Sequence, residues 1–321
     1  MTGTPVRTVF LGSGAFAVPA LHALAGDRRV AIIGVITAPP RPAGRSGTLR
    51  STPIADAAAA LGLVPVLTPE RLRDPVAISA VLDLQPSLAV LADYGQIVPP
   101  ALLDLPHGAL NLHPSLLPRH RGATPVPATI LAGDDESGVT LMRMDAGLDT
   151  GPIVAQARVP LTGTETGPEL EARLAAVGAD LLAAHLGPWV AGELDARPQS
   201  AEGVSLTHRL RRDDGRLDPD RPAGELERRV RALGGWPGTF VELPGGRRLK
   251  VWRAAVLPPL PGQEPRTLTV DDGDGVALTT PDGRLALLEV QAPGGRRMSG
   301  AEFRRGLAGR GVVAGVLGRL A

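Results

Sequence analysis

The sequence predicts an α/β fold in two parts, a Rossmann-like parallel-sheet domain covered by helices and then a small β-barrel. Three observations carry this. A chain of 321 residues has room for about two domains, each with its own core. Its first half alternates strand-like and helix-like runs, the pattern of a parallel sheet with crossover helices. Beyond about Val204 the runs become short and are separated by glycine turns, which favours closure of strands into a barrel.

In chain order, Arg7 to Leu11 (RTVFL) reads as a strand, Phe16 to Leu24 as a helix and Val30 to Thr37 (VAIIGVIT) as a second strand. Further strands are expected at Ser87 to Ala92, Ala109 to His113 and Gly138 to Met144. In the helix that follows, Leu170, Leu174, Val177, Leu181 and Leu182 fall on one face. Gly187 to Gly203 carries glycine, proline and serine and reads as a loop. Residues 1–190 are therefore expected to form the first domain, 191–206 a linker and 207–321 the second. There, Leu226, Val230 and Leu233 mark one short helix, and hairpins are expected around Gly245-Gly246 and Asp282-Gly283.

The composition excludes several chemistries. With no cysteine, the chain has no disulfide, thiolate nucleophile or cysteine-bound metal. The first strand begins too near Met1 to leave room for a targeting peptide, and no apolar run is long enough to span a membrane, so a cytoplasmic location is expected. Charge is uneven: residues 1–207 hold 14 basic and 19 acidic side chains, residues 208–321 hold 20 and 14. A net −5 followed by a net +6 points to a polyanion meeting the second part, or to no more than a solvated arginine-rich surface.

Gly12 to Ala17 (GSGAFA) fits the dinucleotide pattern GxGxxG/A between a strand and a helix. An NAD site also needs a carboxylate after the second strand, where Thr37 to Arg41 supplies none. An NADP site could use Arg41, so a dehydrogenase stays open beside the plainer reading, a tight turn of small residues.

Asn111 and His113 stand two apart on one strand and share a face, at the carboxyl end where open α/β sheets bind ligands. Downstream, Asp145-Ala146-Gly147-Leu148-Asp149-Thr150-Gly151 holds Asp149 between glycines, able to approach His113 and raise its pKa. Singly, each is as well read as a capping asparagine, a structural histidine or a loop aspartate. Together they suit acid-base and oxyanion chemistry.

The set, in order, resembles the folate-dependent formyltransferase superfamily, and within it the branch that acts on methionyl-tRNA. The likeness runs nearly end to end, through FLGSGAFAVPAL, RPAGRSG, ADYGQIVP, NLHPSLLPRHRGATP and MDAGLDTG to RALGGWPGTFVE, KVWRA and LLEVQAPGGRRMSGAEF. It implies transfer of a formyl group from 10-formyltetrahydrofolate to the amine of initiator methionyl-tRNA, with Asn111, His113 and Asp149 as catalytic residues. Folate is expected between Gln96, Ile97 and Val98 and the turn Ser115, Leu116, Leu117 and Pro118. Arg41, Arg45 and Arg50 are expected on the tRNA acceptor arm. The second domain would be an OB-like barrel on the tRNA backbone, the chain a monomer, and no metal is expected. A sugar-nucleotide formyltransferase, a formylfolate hydrolase and a non-catalytic tRNA-binding protein are the rival readings. The chain departs from the family at Ser13-Gly14, at Pro40 and in the lysine-poor stretch after Arg45.

Overall fold

The computed structural model describes residues 4–43, 47–243, 246–262, 264–271, 275–308 and 315–319. The chain forms two compact units. The first comprises residues 1–125, 135–161 and 169–208, the second residues 126–134, 162–168 and 209–321.

In the first unit β1 (Val6–Gly12) passes through a 3-10 turn into α1 (Val18–Ala25) and on to β2 (Val30–Ile36). A hairpin of β3 (Arg41–Ala43) and β4 (Thr48–Arg50) precedes α2 (Pro53–Ala60) and β5 (Val66–Leu67). Next come α3 (Pro75–Leu82), β6 (Leu88–Ala92), α4 (Pro100–Leu103) and β7 (Ala109–His113). The chain then makes β8 (Arg121–Gly122), α5 (Pro125–Ala132), which from Val126 onward belongs to the second unit, β9 (Glu136–Arg143), β10 (Ile153–Pro160), α6 (Gly167–Val190), which joins the first unit from Glu169, and β11 (Leu206–Thr207). Proline opens each of α1 to α4 in its first two positions, where its missing N–H costs no helical bond. Thr52 adds a cap to α2 by accepting the Ala55 N–H at 3.1 Å.

The strands assemble in the order β10-β9-β7-β6-β1-β2-β5. β5, β2, β1, β6 and β7 run parallel, while β9 is antiparallel to β7 and β10 to β9. The central strands are apolar on both faces, as a covered parallel sheet requires. From β1 the chain builds outward through β2 and β5, then returns to the other side with β6 and β7. That reversal opens a crevice over the carboxyl ends of β1 and β6. On one face α6 buries Leu170, Leu174, Leu181 and Leu182, and Gly178 faces Leu112, Val139 and Phe16.

The second unit contains α7 (Ala223–Ala232), β12 (Thr239–Leu243), β13 (Arg247–Leu257), β14 (Thr267–Asp271), β15 (Gly275–Thr279) and β16 (Arg284–Gln291). β17 (Arg297–Ser299), α8 (Gly300–Ala308) and β18 (Gly315–Arg319) complete it. Its antiparallel sheet runs β12-β13-β16-β15-β14-β18, with β17 beside β16. β12 to β16 and α7 all send side chains into one core, which includes Leu226, Val230, Val241, Val251, Leu278 and Leu287. A curled antiparallel sheet around such a core is the OB-like architecture expected, and both hairpins occur where the turns fell.

Two expectations change. The sheet is mixed at one end because β9 runs antiparallel to β7, and β10, which the sequence disguises with Gln156 and Arg158 between prolines, folds back on β9 as the edge strand. The loop expected from Gly187 starts later, since α6 continues to Val190. Pro188 falls in its final turn, and the Trp189 indole donates to the His107 carbonyl at 3.0 Å, fastening that end.

Candidate active site

β7 supplies the centre of the site. Asn111 and His113 lie on one face and Leu112 on the other, where it meets α6 beside Gly178. Asn111 is half-buried, in register with Leu91 of β6 and Met142 of β9. Among the described residues its side-chain amide has no hydrogen-bond partner, leaving its donors and acceptor to a ligand.

His113 is 4% exposed. Its Nε2 lies 3.0 Å from the His120 carbonyl oxygen, which can only accept, so Nε2 carries the hydrogen. The proton that titrates is therefore on Nδ1. That atom faces Asp149 Oδ2 at 3.7 Å, beyond direct hydrogen-bond length but within strong electrostatic reach. The raised pKa expected for His113 is corrected: burial pushes it below its ordinary value, and the Asp149 charge opposes that only in part.

Asp149 occupies the left-handed region, φ 51°, and its Oδ2 also accepts the Gly122 N–H at 2.8 Å. The neighbouring aspartate has a different task. Asp145 accepts from the Gly147 N–H at 3.0 Å and the Thr150 hydroxyl at 2.7 Å, closing the loop that displays Asp149.

The two segments expected around folate meet through one side chain. Met144 packs against the core cluster that includes Tyr94 and Val98 and also against the cluster of Leu117, Met142 and Ile153. Ile97 is exposed, Val98 is buried, and their backbone groups have no partner among the described residues. The Tyr94 hydroxyl nearby is buried without a hydrogen bond. Unpaired backbone groups beside an apolar wall suit the edge of a flat heterocycle. Gln96 already gives its backbone N–H to the Tyr94 carbonyl, and its side chain accepts the Leu72 N–H at 2.7 Å and donates to the Pro69 carbonyl at 3.1 Å, fixing the segment.

The turn Ser115 to Pro118 is wall rather than donor. The buried Thr140 hydroxyl donates to the Ser115 carbonyl at 2.7 Å and accepts the Leu117 N–H at 3.1 Å. Gln156 donates to the Leu117 carbonyl at 3.0 Å. Leu116 lies over Gly138, where there is no room for a Cβ. Pro118 follows a cis peptide bond.

Of the three arginines expected on nucleic acid, Arg41 and Arg50 face each other across the β3–β4 hairpin, both exposed. Arg41 is ion-paired with Glu70 at 2.5 Å. Arg45 lies outside the described residues. At the GSGAFA turn a Cβ on Gly14 would collide with the Asp93 carboxylate, so a side chain of the protein fills the space over the turn. Burial pushes the Asp93 carboxyl above its ordinary value, and burial with the Asp93 charge does the same to Glu171. Among the described residues no three His, Asp or Glu side chains are grouped to hold a metal, and no helix is long and apolar enough to cross a membrane.

The sequence reading missed the supports of these groups. Thr140 and Gln156 hold one turn. Residues 199–206, expected to be linker, and Thr207, expected to open the second domain, pack on the segment after Pro118: β11 pairs with β8, and the Ser205 hydroxyl accepts the His120 N–H at 2.8 Å. Such bonds join residues up to 85 positions apart, and no local pattern announces them.

Residues 6–186 match the formyl transferase family and residues 209–308 match the formyl transferase C-terminal domain. A methionyl-tRNA formyltransferase of Roseiflexus sp. (strain RS-1) is 45% identical over 305 residues, covering 94% of this chain and 93% of its own. One from Myxococcus xanthus is 42% identical over 303 residues, covering 94% and 95%. Among solved structures, an N-formyltransferase of Helicobacter canadensis in complex with folinic acid and dTDP-3-aminofucose superposes with a TM-score of 0.63. It covers 88% of this chain and 99% of its own, at 17% identity, so it speaks for the fold alone. With both family domains matched in order and relatives this similar over nearly the whole length, the chain belongs to the methionyl-tRNA formyltransferase family.

Proposed function

We infer that the protein transfers the formyl group of 10-formyltetrahydrofolate to the α-amino group of methionine carried by initiator tRNA. The observation that carries this is the convergence of an unpartnered Asn111 amide, His113 Nδ1 and the Asp149 carboxylate at one strand end, in a chain of this family.

The folate brings an activated formyl group on nitrogen. The work of the protein is to hold a neutral amine against it, in line with the formyl carbon. As that carbon becomes tetrahedral, charge grows on its oxygen, and the Asn111 amide donates to it. His113 enters neutral, because burial lowers its pKa. With Nε2 fixed on His120, its Nδ1 receives the proton the amine gives up. The imidazolium is then stabilised by Asp149, donates to the oxyanion, and supplies the proton needed by the departing folate nitrogen. Atoms and charge balance: the amine loses one proton, the folate nitrogen gains one, and His113 ends as it began.

Ile97 and Val98 offer their backbone groups to the pterin, with Tyr94, Met144 and Leu117 as the apolar wall. Arg41, Arg45 and Arg50 are assigned to the acceptor arm, and a phosphate there competes with Glu70 for Arg41. The basic second unit meets the tRNA backbone. The protein acts as a cytoplasmic monomer.

The test is formyl transfer from labelled 10-formyltetrahydrofolate to charged initiator tRNA, beside free methionine, an amino-sugar nucleotide and no acceptor. Transfer to the tRNA alone is expected. Preference for the sugar nucleotide, or release of formate without an acceptor, overturns the assignment.

A further inference from the structure

One side chain holds the Asp149 turn by its main chain. Gln199 Nε2 donates to the carbonyl of Asp149 and to that of Gly151, both at 2.8 Å. Its Oε1 accepts from Arg121, at 3.1 Å from Nε and 2.8 Å from Nη2. The next residue, Gly122, gives its N–H to the Asp149 carboxylate at 2.8 Å. These bonds close a ring: Asp149 main chain, Gln199, Arg121 side chain, Gly122 backbone, Asp149 carboxylate. The amide of Gln199 is fully used, with both hydrogens on the turn and the oxygen in the fork of a guanidinium.

The ring encloses a residue that needs it. Asp149 sits at φ 51°, where a side chain other than glycine is strained and persists only when its surroundings hold it. Its Oδ2 faces His113 Nδ1 at 3.7 Å, so a small swing of the turn changes the field on the titrating nitrogen. The same stretch of chain governs the other end of the imidazole, because Ser205 holds the N–H of His120, whose carbonyl fixes Nε2.

We propose that Gln199 is a positioning residue for formyl transfer, setting the place of the Asp149 carboxylate against His113 by clamping the main chain of the turn from a segment 50 residues away. It acts through Asp149 and touches no substrate. The proposal rests on the roles given above to His113 and Asp149.

The experiment compares Gln199→Met, Gln199→Glu, Arg121→Met and the double variant Gln199→Met/Arg121→Met with wild type, in the full chain, reading kcat, both KM values and the pH profile. Gln199→Met is expected to lower kcat by about tenfold to a hundredfold, as a misplaced catalytic group does, with both KM values unchanged. Freed from its clamp, the carboxylate raises the His113 pKa less, and the acid limb of kcat moves to lower pH. Gln199→Glu loses the two donors and adds a charge near His113, so its limb moves the other way. Arg121→Met acts through the same amide, and the double variant falls no further than Gln199→Met alone. Unchanged kcat, or an acid limb at the wild-type pH in both Gln199 variants, overturns the proposal, as does an additive double variant. Asp149→Asn is the control: if it too turns over normally, the site assignment itself fails, whereas an inactive Asp149→Asn beside normal Gln199 variants sinks only the role of Gln199.

Discussion

A histidine committed through Nε2 to a carbonyl can change charge only at Nδ1, so for His113 one atom carries the pH dependence of the site. Burial lowers its pKa below about 6.5, the ordinary value. The neutral form needed to receive a proton is thus kept as pH falls through 6.5; kcat/KM also carries the titration of the substrate's own α-amine, so the midpoint of His113 is read on the ring itself. NMR titration of the ring should show the lowered midpoint, and Asp149→Asn should lower it further. A ring midpoint at or above about 6.5 would contradict this reading. The sign for stability follows. A depressed folded pKa gives stability that is complete above about 6.5 and lost as pH falls through the folded value. Asn111 acts without titrating. Asn111→Ala removes an oxyanion donor, expected to cost kcat a hundredfold or more, about 2.7 to 4 kcal/mol, with the thermal melt unchanged. Near-normal turnover would take Asn111 out of the site. These two residues were legible because strand alternation makes ALNLH present an amide and an imidazole together. The direction of the His113 shift was not, since a nearby carboxylate shows in a sequence and the depth of burial does not.

Elements set the walls that these residues need. The turn after β7 is held from β9 by one hydroxyl, Thr140, which is completely buried and makes bonds to Ser115, Leu117 and Gln156. Thr140→Val keeps the shape but strands the Leu117 N–H and the Ser115 carbonyl. A loss of about 1 to 3 kcal/mol is expected, read from the denaturation midpoint; an unchanged midpoint would mean that the turn is held by other means. At the far side of the crevice, β1 ends in a glycine-rich turn that copies a dinucleotide site in sequence but not in space. The Asp93 carboxylate lies over Gly14, where a pyrophosphate would need to lie, and Glu171 adds a second acid nearby. Calorimetry with NAD and NADP is therefore expected to show no binding, and saturable micromolar binding of either would refute this. The carboxylate missing after β2 argued the same way from sequence. That the acid following β6 stands over the turn could be seen only once the strands were ordered, because Asp93 is some 80 residues from the turn it fills.

For the molecule as a whole, a sequence boundary and a structural one differ in kind. Texture and turn residues placed a linker at 191–206, a reading of composition. By contacts the first unit extends to His208, and the second takes in residues 126–134 and 162–168. Within the second unit, Arg231 donates to the Glu165 carbonyl at 2.8 Å and Arg228 to that of Leu131 at 3.4 Å. A fragment of residues 1–208 would keep both insertions and lose these partners. It is expected to melt well below the full chain and to bind a hydrophobic dye more strongly. Equal melting would show that the insertions stand without residues 209–321. The charge division survives either way, since nearly all of the basic excess lies beyond residue 208.

The stretch from Gln199 to Thr207 also bears on how members of this family could be recombined. A crossover placed at residue 190, where the helix stops and composition changes, would bring in the Gln199 and Ser205 of one parent against the Arg121 and His120 of the other. Such a hybrid would inherit its chemistry from two ancestors that never fitted each other, and a poor product would be blamed on the grafted unit. Moving the breakpoint past His208 keeps those two pairs from a single parent, and the pairs left to match by hand are then Arg231 with Glu165 and Arg228 with Leu131.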